Sequence, residues 1–281
     1  MIHRSSKIRN LKNFTAKIVA TLCALLGIFF LGWVLIEVVQ KGWHAINWSF
    51  FTTLPPPPGS ETGGVANAIL GTLAITLLAT IMAVPIGLLA GTYLSEFGQK
   101  TALAAAARFV ANSLIGIPSI IVGLFVYASV VVPMGQFSGY AGAISLAIIM
   151  FPVVVGTSEA MLNLVPNELR ESAIALGAPR WKITFEIVFG AAKAGIVTGI
   201  ILSVARVSGE TAPLLFTALN SPYWPNSLAK PTANLTVTIF NFAMSPYAYW
   251  QQIAWGASLL IMTAVLALTI LARSFFTESR R

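Results

Sequence analysis

Between Arg108 and Glu159 the chain carries no charged side chain, and most of that stretch is apolar. A membrane-spanning helix needs roughly 20 residues, so the stretch is too long for one crossing. The segment VVPMGQFSG near its middle supplies the Pro and Gly that turn a chain back on itself. Two antiparallel spans are therefore expected, near Phe109 to Val132 and Gly139 to Met161. Four further apolar segments have the required length, near Ile18 to Ile36, Asn67 to Leu94, Ala194 to Leu219 and Gln251 to Ala272. Charged residues make up 9% of the 281 and aspartate is absent, whereas soluble domains average about 25% charged. The fold class is an all-α membrane protein with six transmembrane helices.

Basic residues orient such a chain, because Lys and Arg resist translocation. Five precede the first span, two lie between the second and third, four between the fourth and fifth, and three follow the sixth. Lys41 and Lys230 face outward and Arg206 falls inside the fifth span. Both termini are expected in the cytoplasm. This placement accounts for the net charge of +8, and no basic groove with interleaved aromatics points to nucleic acid.

The domain plan is a cytoplasmic tail over 1–17, an anchor helix over 18–39, a membrane core over 67–272 and a cytoplasmic tail over 273–281. The N-terminal run is read as a retained anchor, since no small-x-small cleavage site follows it. Cys23, the one cysteine, excludes an internal disulfide and a thiolate metal cluster, and is read as a packing residue. His3 and His44 lie too far apart in context to form a metal site. Nothing matches GxxxxGK[ST], a nucleophile elbow or HExxH, so the chain is not read as an enzyme and any nucleotide hydrolysis must occur elsewhere.

LPPPPGSETGG, in the first outer loop, reads as an extended polyproline spacer followed by a flexible glycine turn. The second outer loop, Asn220 to Trp250, is rich in Pro, Tyr and Trp. Interfacial anchoring and docking of an external protein are both open for it. Glycines four apart at Gly87/Gly91, Gly135/Gly139 and Gly195/Gly199 suit close helix approach.

The inner loop NLVPNELRESAIALGAPRWKITFEIVFG has the grammar of two short helices. Asn167 is expected to cap the first, with Glu168 and Glu171 complementing its positive end. Gly177 closes it in the left-handed conformation, and Pro179 opens a second helix whose Trp181, Phe185 and Val188 share a face.

Glu171-Ser172-Ala173 followed by Gly177 resembles the EAA loop of ATP-binding-cassette (ABC) importer permeases, here spanning 164–190. Ser172 departs from the usual alanine, and Phe189-Gly190 stands where many members have Leu-Pro. SVARVSGETAPLLFTA, NLTVTIF and FAMSPYAYWQQIAW are similar to the A-type permeases of phosphate-specific (Pst) importers. So are PPPPGSETGGVANAILGTL, GTYLSEF and IPSIIVGLFVY, which extends the resemblance from about residue 55 to 272. It implies a type I ABC importer permease (MetI-like) fold with a cytoplasmic coupling helix, in a bacterial inner membrane. Glu168, Arg170, Glu171, Ala173 and Gly177 would then couple to an ATPase. The partners implied are a homologous permease (PstC type), two copies of a cytoplasmic ATPase that binds the ATP (PstB type) and a periplasmic phosphate-binding protein (PstS type). No cofactor is expected in this chain.

Arg206 and Glu210 remain to be explained. From Lys193, at the inner end of the fifth span, Arg206 lies roughly 20 Å deeper at 1.5 Å per residue. A charge at that depth costs about 2.5 to 3.5 kcal/mol on the lenient scale, so compensation is required. Four residues apart on a helix, Glu210 and Arg206 share a face and can pair. A pair that only fixes helix register is one reading. A substrate path is the other, because guanidinium matches phosphate oxygens. The expectation is that phosphate displaces Glu210 from Arg206 in transit, with Glu210 accepting a bond from a protonated phosphate. Gly209 and Pro213 are expected to kink the helix beside these charges. Either freed carbonyls and the Thr211 hydroxyl line the passage or Thr211 bonds its own backbone. Glu159 is placed at the inner mouth, where Pst permeases commonly carry an arginine in place of Gly156. Without that arginine, the inner mouth would use another cation, such as Arg170 or a partner's group, or the chain would move a related anion. Sulfate, molybdate or phosphonate import and a self-sufficient anion transporter are the alternatives.

Overall fold

The computed structural model describes residues 6–98 and 101–278, and every regular element among them is helical. In chain order these are α1 (Ser6–Trp43), α2 (Trp48–Thr52), α3 (Ala66–Thr92), α4 (Ala102–Ile115), α5 (Ser119–Val126) and α6 (Gly139–Asn163). They continue with α7 (Asn167–Ala175), α8 (Phe189–Ser208), α9 (Ala212–Leu215), α10 (Leu235–Ala243) and α11 (Ala248–Glu278), besides single turns at Val132–Met134 and Arg180–Lys182. Wider π turns extend α3 over Tyr93–Phe97 and α5 over Tyr127–Val131, and lead into α8 over Ile183–Val188. Of the two expected tails, residues 1–5 and 279–281 lie outside the described residues. The remainder of each is helix continuous with α1 or α11, so the first helix overruns the expected 18–39 at both ends.

Five helices among the described residues are long and apolar enough to cross a membrane, and the pair Ala102–Ile115 with Ser119–Met134 makes a sixth span if counted as one. That pair covers the third span expected near Phe109 to Val132, but it is broken, its two parts meeting at 103°. Pro118 lacks an N–H and disfavours helix in the residue before it. The chain responds by tightening, with Gly116 N–H donating to Ser113 O at 3.1 Å and Ile117 N–H to Leu114 O at 3.2 Å.

α6 sits at the centre. On one side a Cβ at Gly87 of α3 would come within 2.7 Å of Val154 Cγ1, and one at Gly91 within 2.7 Å of Ser158 Cβ. On its other side, side chains at Gly195 and Gly199 of α8 would collide with Met161 and Thr157. Helices in lipid gain little from burying apolar surface against one another, so close backbone approach through such small residues supplies the attraction. Ile75, Leu146, Met150, Val154 and Val207 fill the space between the three helices. Gly135 is different: its φ of +67° closes a turn, and a Cβ there would meet nothing within 4 Å. Leu70, Leu73, Leu77 and Ile81 lie along the exposed face of α3, as lipid contact requires. Cys23 is exposed on α1, not packed as expected.

The outer loops are more ordered than their composition suggests. The glycine turn expected after the prolines forms at Gly59, with φ +84° and Ser60 N–H donating to Pro57 O at 3.0 Å, whereas Gly63 and Gly64 are packing positions: a Cβ at Gly63 would press on Pro56 at 2.6 Å, and one at Gly64 would collide with Ser49 O. Nine residues of the second outer loop form α10, whose Leu235 and Phe242 pack with Phe50, Val65 and Ile253. Asn234 caps α10 by accepting from Val237 N–H at 2.9 Å. Asn67 Nδ2, at the start of α3, donates to Ser221 O at 2.7 Å and ties the loop to the core.

Candidate functional site

Arg206 and Glu210 line one cavity of about 230 Å³. Its other walls are Leu114, Ile115, Ile117, Pro118, Ser119 and Val122 from the broken pair, and Ile148, Ile149 and Val153 from α6. Two opposite charges thus face a lining that is otherwise apolar apart from Ser119. The i,i+4 helical pairing expected from sequence does not form. α8 ends at Ser208 with Gly209 as its cap, and the ion pairs among the described residues do not join Arg206 to Glu210. The cause is Pro213, which cannot donate to the carbonyl of Gly209 and whose ring clashes with it in a continuing helix. The expected kink is accordingly a full break across Gly209, Glu210 and Thr211 before α9 begins at Ala212.

The break is itself well anchored. Glu210 N–H donates to Val207 O at 3.2 Å, and Glu210 O accepts from Thr236 Oγ1 of α10 at 2.8 Å. Thr211 O accepts from Leu214 and Leu215 N–H, both at 3.1 Å, so that carbonyl is not freed. Thr211 does not line the cavity. Pro213 is buried against α5, where a Cβ at Gly123 would lie 2.6 Å from Pro213 Cα. The helices that follow the two breaks, α5 and α9, therefore pack on each other, and residues of both breaks, Ile117, Pro118 and Glu210, line the cavity with Arg206. Arg206 is exposed and Glu210 half-buried.

Glu159 lies elsewhere. It does not line the cavity and lies about 9 Å along α6 from Val153 at the helical rise, and its Oε1 accepts from Arg108 Nε at 2.7 Å. Arg108 Nη2 also donates to Leu94 O at 2.9 Å. Sequence reasoning misses this partner, although Arg108 and Glu159 bound the uncharged stretch and a two-span hairpin returns both ends to one side. Gly156 is exposed on α6, one turn beyond cavity-lining Val153, and a Cβ added to it would meet nothing within 4 Å.

The inner loop forms α7, with Glu168 and Glu171 exposed and Ala173 buried. Asn167 is the first residue of the helix and not its cap, since Pro166 occupies that position. Gly177 has φ +76°, as expected. Arg170 turns toward the protein: its Nη2 and Nε reach Glu96 Oε1 and Oε2 at 2.7 and 3.3 Å, and it caps Leu162 O and Val165 O at 2.9 and 2.6 Å. Pro179 precedes the next turn, which begins at Arg180. Trp181 and Phe185 are exposed while Val188 is fully buried, so these three do not share a face. The π turn over Ile183–Val188 changes the angular phase between them.

Residues 83–278 match the model of a family described as binding-protein-dependent transport system inner membrane component. The chain is 48% identical to the phosphate transport system permease protein PstA of Yersinia pestis, over 97% of this chain and 92% of that one. It is 45% identical to the protein of the same description from Pasteurella multocida, over 97% of each. Among solved structures it resembles an inward-facing MetNI methionine ABC transporter, with a TM-score of 0.63, 17% identity and coverage of 77% and 96%. A bacterial ABC transporter that imports alginate gives a TM-score of 0.64, with 16% identity and coverage of 98% and 97%. These two likenesses are of fold.

Proposed function

Because the chain belongs to the family of binding-protein-dependent transport system inner membrane components, we propose that its cavity at Arg206 and Glu210 is the passage through which the substrate crosses. The chain is a permease subunit of a phosphate ABC importer, a multi-pass inner-membrane protein that works with other ABC subunits. The single observation carrying the passage assignment is that Arg206 and Glu210 face one cavity that residues of both helix breaks line. A guanidinium that holds no carboxylate keeps its planar fork available to phosphate oxygens. Glu210, held by its backbone rather than by Arg206, is positioned to accept a hydrogen bond from phosphate.

In this reading both termini are cytoplasmic and α7 is the coupling helix. Its exposed Glu168 and Glu171, with Ile174 and Leu176 beside them, offer a mixed acidic and apolar surface to an ATPase. ATP is bound and hydrolysed there, in two copies of a PstB-type subunit. A PstC-type permease completes the passage and a PstS-type binding protein delivers phosphate from outside. A second reading, import of a different oxyanion, draws on Gly156. Competition of sulfate, molybdate or phosphonate against phosphate uptake separates the two.

Purification of the tagged chain from its native membrane tests the assignment. A second permease and an ATPase are expected to come with it, and the chain reconstituted alone is expected to move no phosphate. Phosphate flux through the chain alone, without ATP, would make it a self-sufficient transporter and overturn the proposal.

A further inference from the structure

Two arginines hold one π turn, one by a side chain and the other by a backbone carbonyl. In Tyr93–Phe97, the Gly98 N–H reaches back five residues to Tyr93 O at 2.6 Å. From α7, Arg170 holds Glu96 through two nitrogens, at 2.7 and 3.3 Å. From α4, Arg108 donates to Leu94 O at 2.9 Å and to Glu159 at 2.7 Å. Between them Ser95 Oγ donates to Asn163 Oδ1, at the end of α6, at 2.8 Å. The side chains of Glu96, Glu159, Arg170 and Arg108 are 10%, 17%, 18% and 33% exposed.

We infer that this π turn is a mechanical relay, carrying displacement of α7 through Arg170 and Glu96 to Leu94, and through Arg108 to α4. The far end of α4 supplies Leu114 and Ile115 to the wall of the Arg206 and Glu210 cavity. Arg108 and Ile115 are seven residues apart, two helical turns or about 10 Å. The inference rests on the reading of α7 as the surface that an ATPase moves. Apolar contacts slide at small cost, whereas a largely buried arginine fork such as that of Arg170 cannot slip without stranding its charge and that of Glu96. A pull on α7 is thereby transmitted and not absorbed. The tie joins four separate helices, since Arg170 lies on α7, Leu94 and Glu96 in the π extension of α3, Arg108 on α4 and Glu159 on α6. Arg108, Arg170, Glu96 and Glu159 are positioning residues, and none of them lines the cavity.

The test uses the complete importer in proteoliposomes, with phosphate uptake and ATP hydrolysis measured on the same sample for wild type and Glu96→Gln. Glutamine keeps the size of the side chain and removes its charge. Hydrolysis stimulated by the loaded binding protein is expected to persist, while phosphate moved per ATP falls about tenfold. An unchanged ratio, whether both rates hold or both decline together, overturns the relay and leaves Glu96 a structural staple. A wild-type complex that moves no phosphate overturns the transport reading and the relay with it. If Glu96→Gln does not assemble, Arg108→Lys takes its place. Lysine keeps a positive charge facing Glu159 but lacks the planar fork whose separate Nε and Nη2 reach Glu159 and Leu94 O, and the same ratio decides.

Discussion

Arg108 and Glu159, the charges that flank the long neutral stretch, are joined by a 2.7 Å ion pair. The hairpin of the third and fourth spans is thus closed at its base by its own boundary residues. Removing one partner leaves the other charge only partly solvated. Arg108→Ala also deprives Leu94 O of its donor, and is expected to destabilise the purified protein by about 1–3 kcal/mol. Thermal unfolding in detergent reads this as a lower Tm. The double variant Arg108→Ala/Glu159→Ala should lose less than the sum of the single losses, because the two share one interaction.

Gly199 meets Thr157 where α8 crosses α6. Gly199→Val is expected to force the helices apart and cost about 1–3 kcal/mol, as overpacking generally does. Gly190→Ala, where a Cβ meets nothing within 4 Å, serves as the control and should leave Tm close to wild type.

Gly177 ends α7 in the left-handed conformation, and a Cβ there meets no neighbour. Gly177→Ala therefore isolates backbone strain from clash. The expected cost is about 1–2 kcal/mol, confined to α7, and hydrogen exchange over 167–177 should quicken while exchange in α6 does not.

Gly156 has open space beside it on the face of α6 that continues from Val153. Gly156→Arg is expected to fold normally and to change the relative uptake of phosphate and competing oxyanions. Unaltered uptake would mean that this position plays no part in selecting the anion.

The spans, the small-residue crossings and the left-handed Gly177 are legible in the sequence because apolarity, side-chain size and turn chemistry act locally. Pro118 is equally visible, but its 103° bend depends on how α5 settles against Pro213 through Gly123. Arg170 is expected from the sequence either to couple to an ATPase or to supply a cation at the inner mouth. Within the chain it pairs with Glu96, 74 residues away, a separation that no local pattern encodes. The shared face expected for Trp181, Phe185 and Val188 fails because a π turn departs from the 3.6-residue period on which that expectation relies. Arg206 and Glu210 stand out by depth alone. They do share a site, although the helical pairing expected of them is absent and they line one cavity with residues of both helix breaks instead.

Whether phosphate passes Arg206 and Glu210 is decided by its uptake into proteoliposomes holding the complete importer, compared among wild type, Arg206→Ala and Glu210→Ala at matched assembly. Each substitution is expected to abolish ATP-dependent uptake while the complex still inserts and assembles. Uptake at the wild-type rate by either variant would show that phosphate crosses without that side chain, and the passage would have to lie elsewhere.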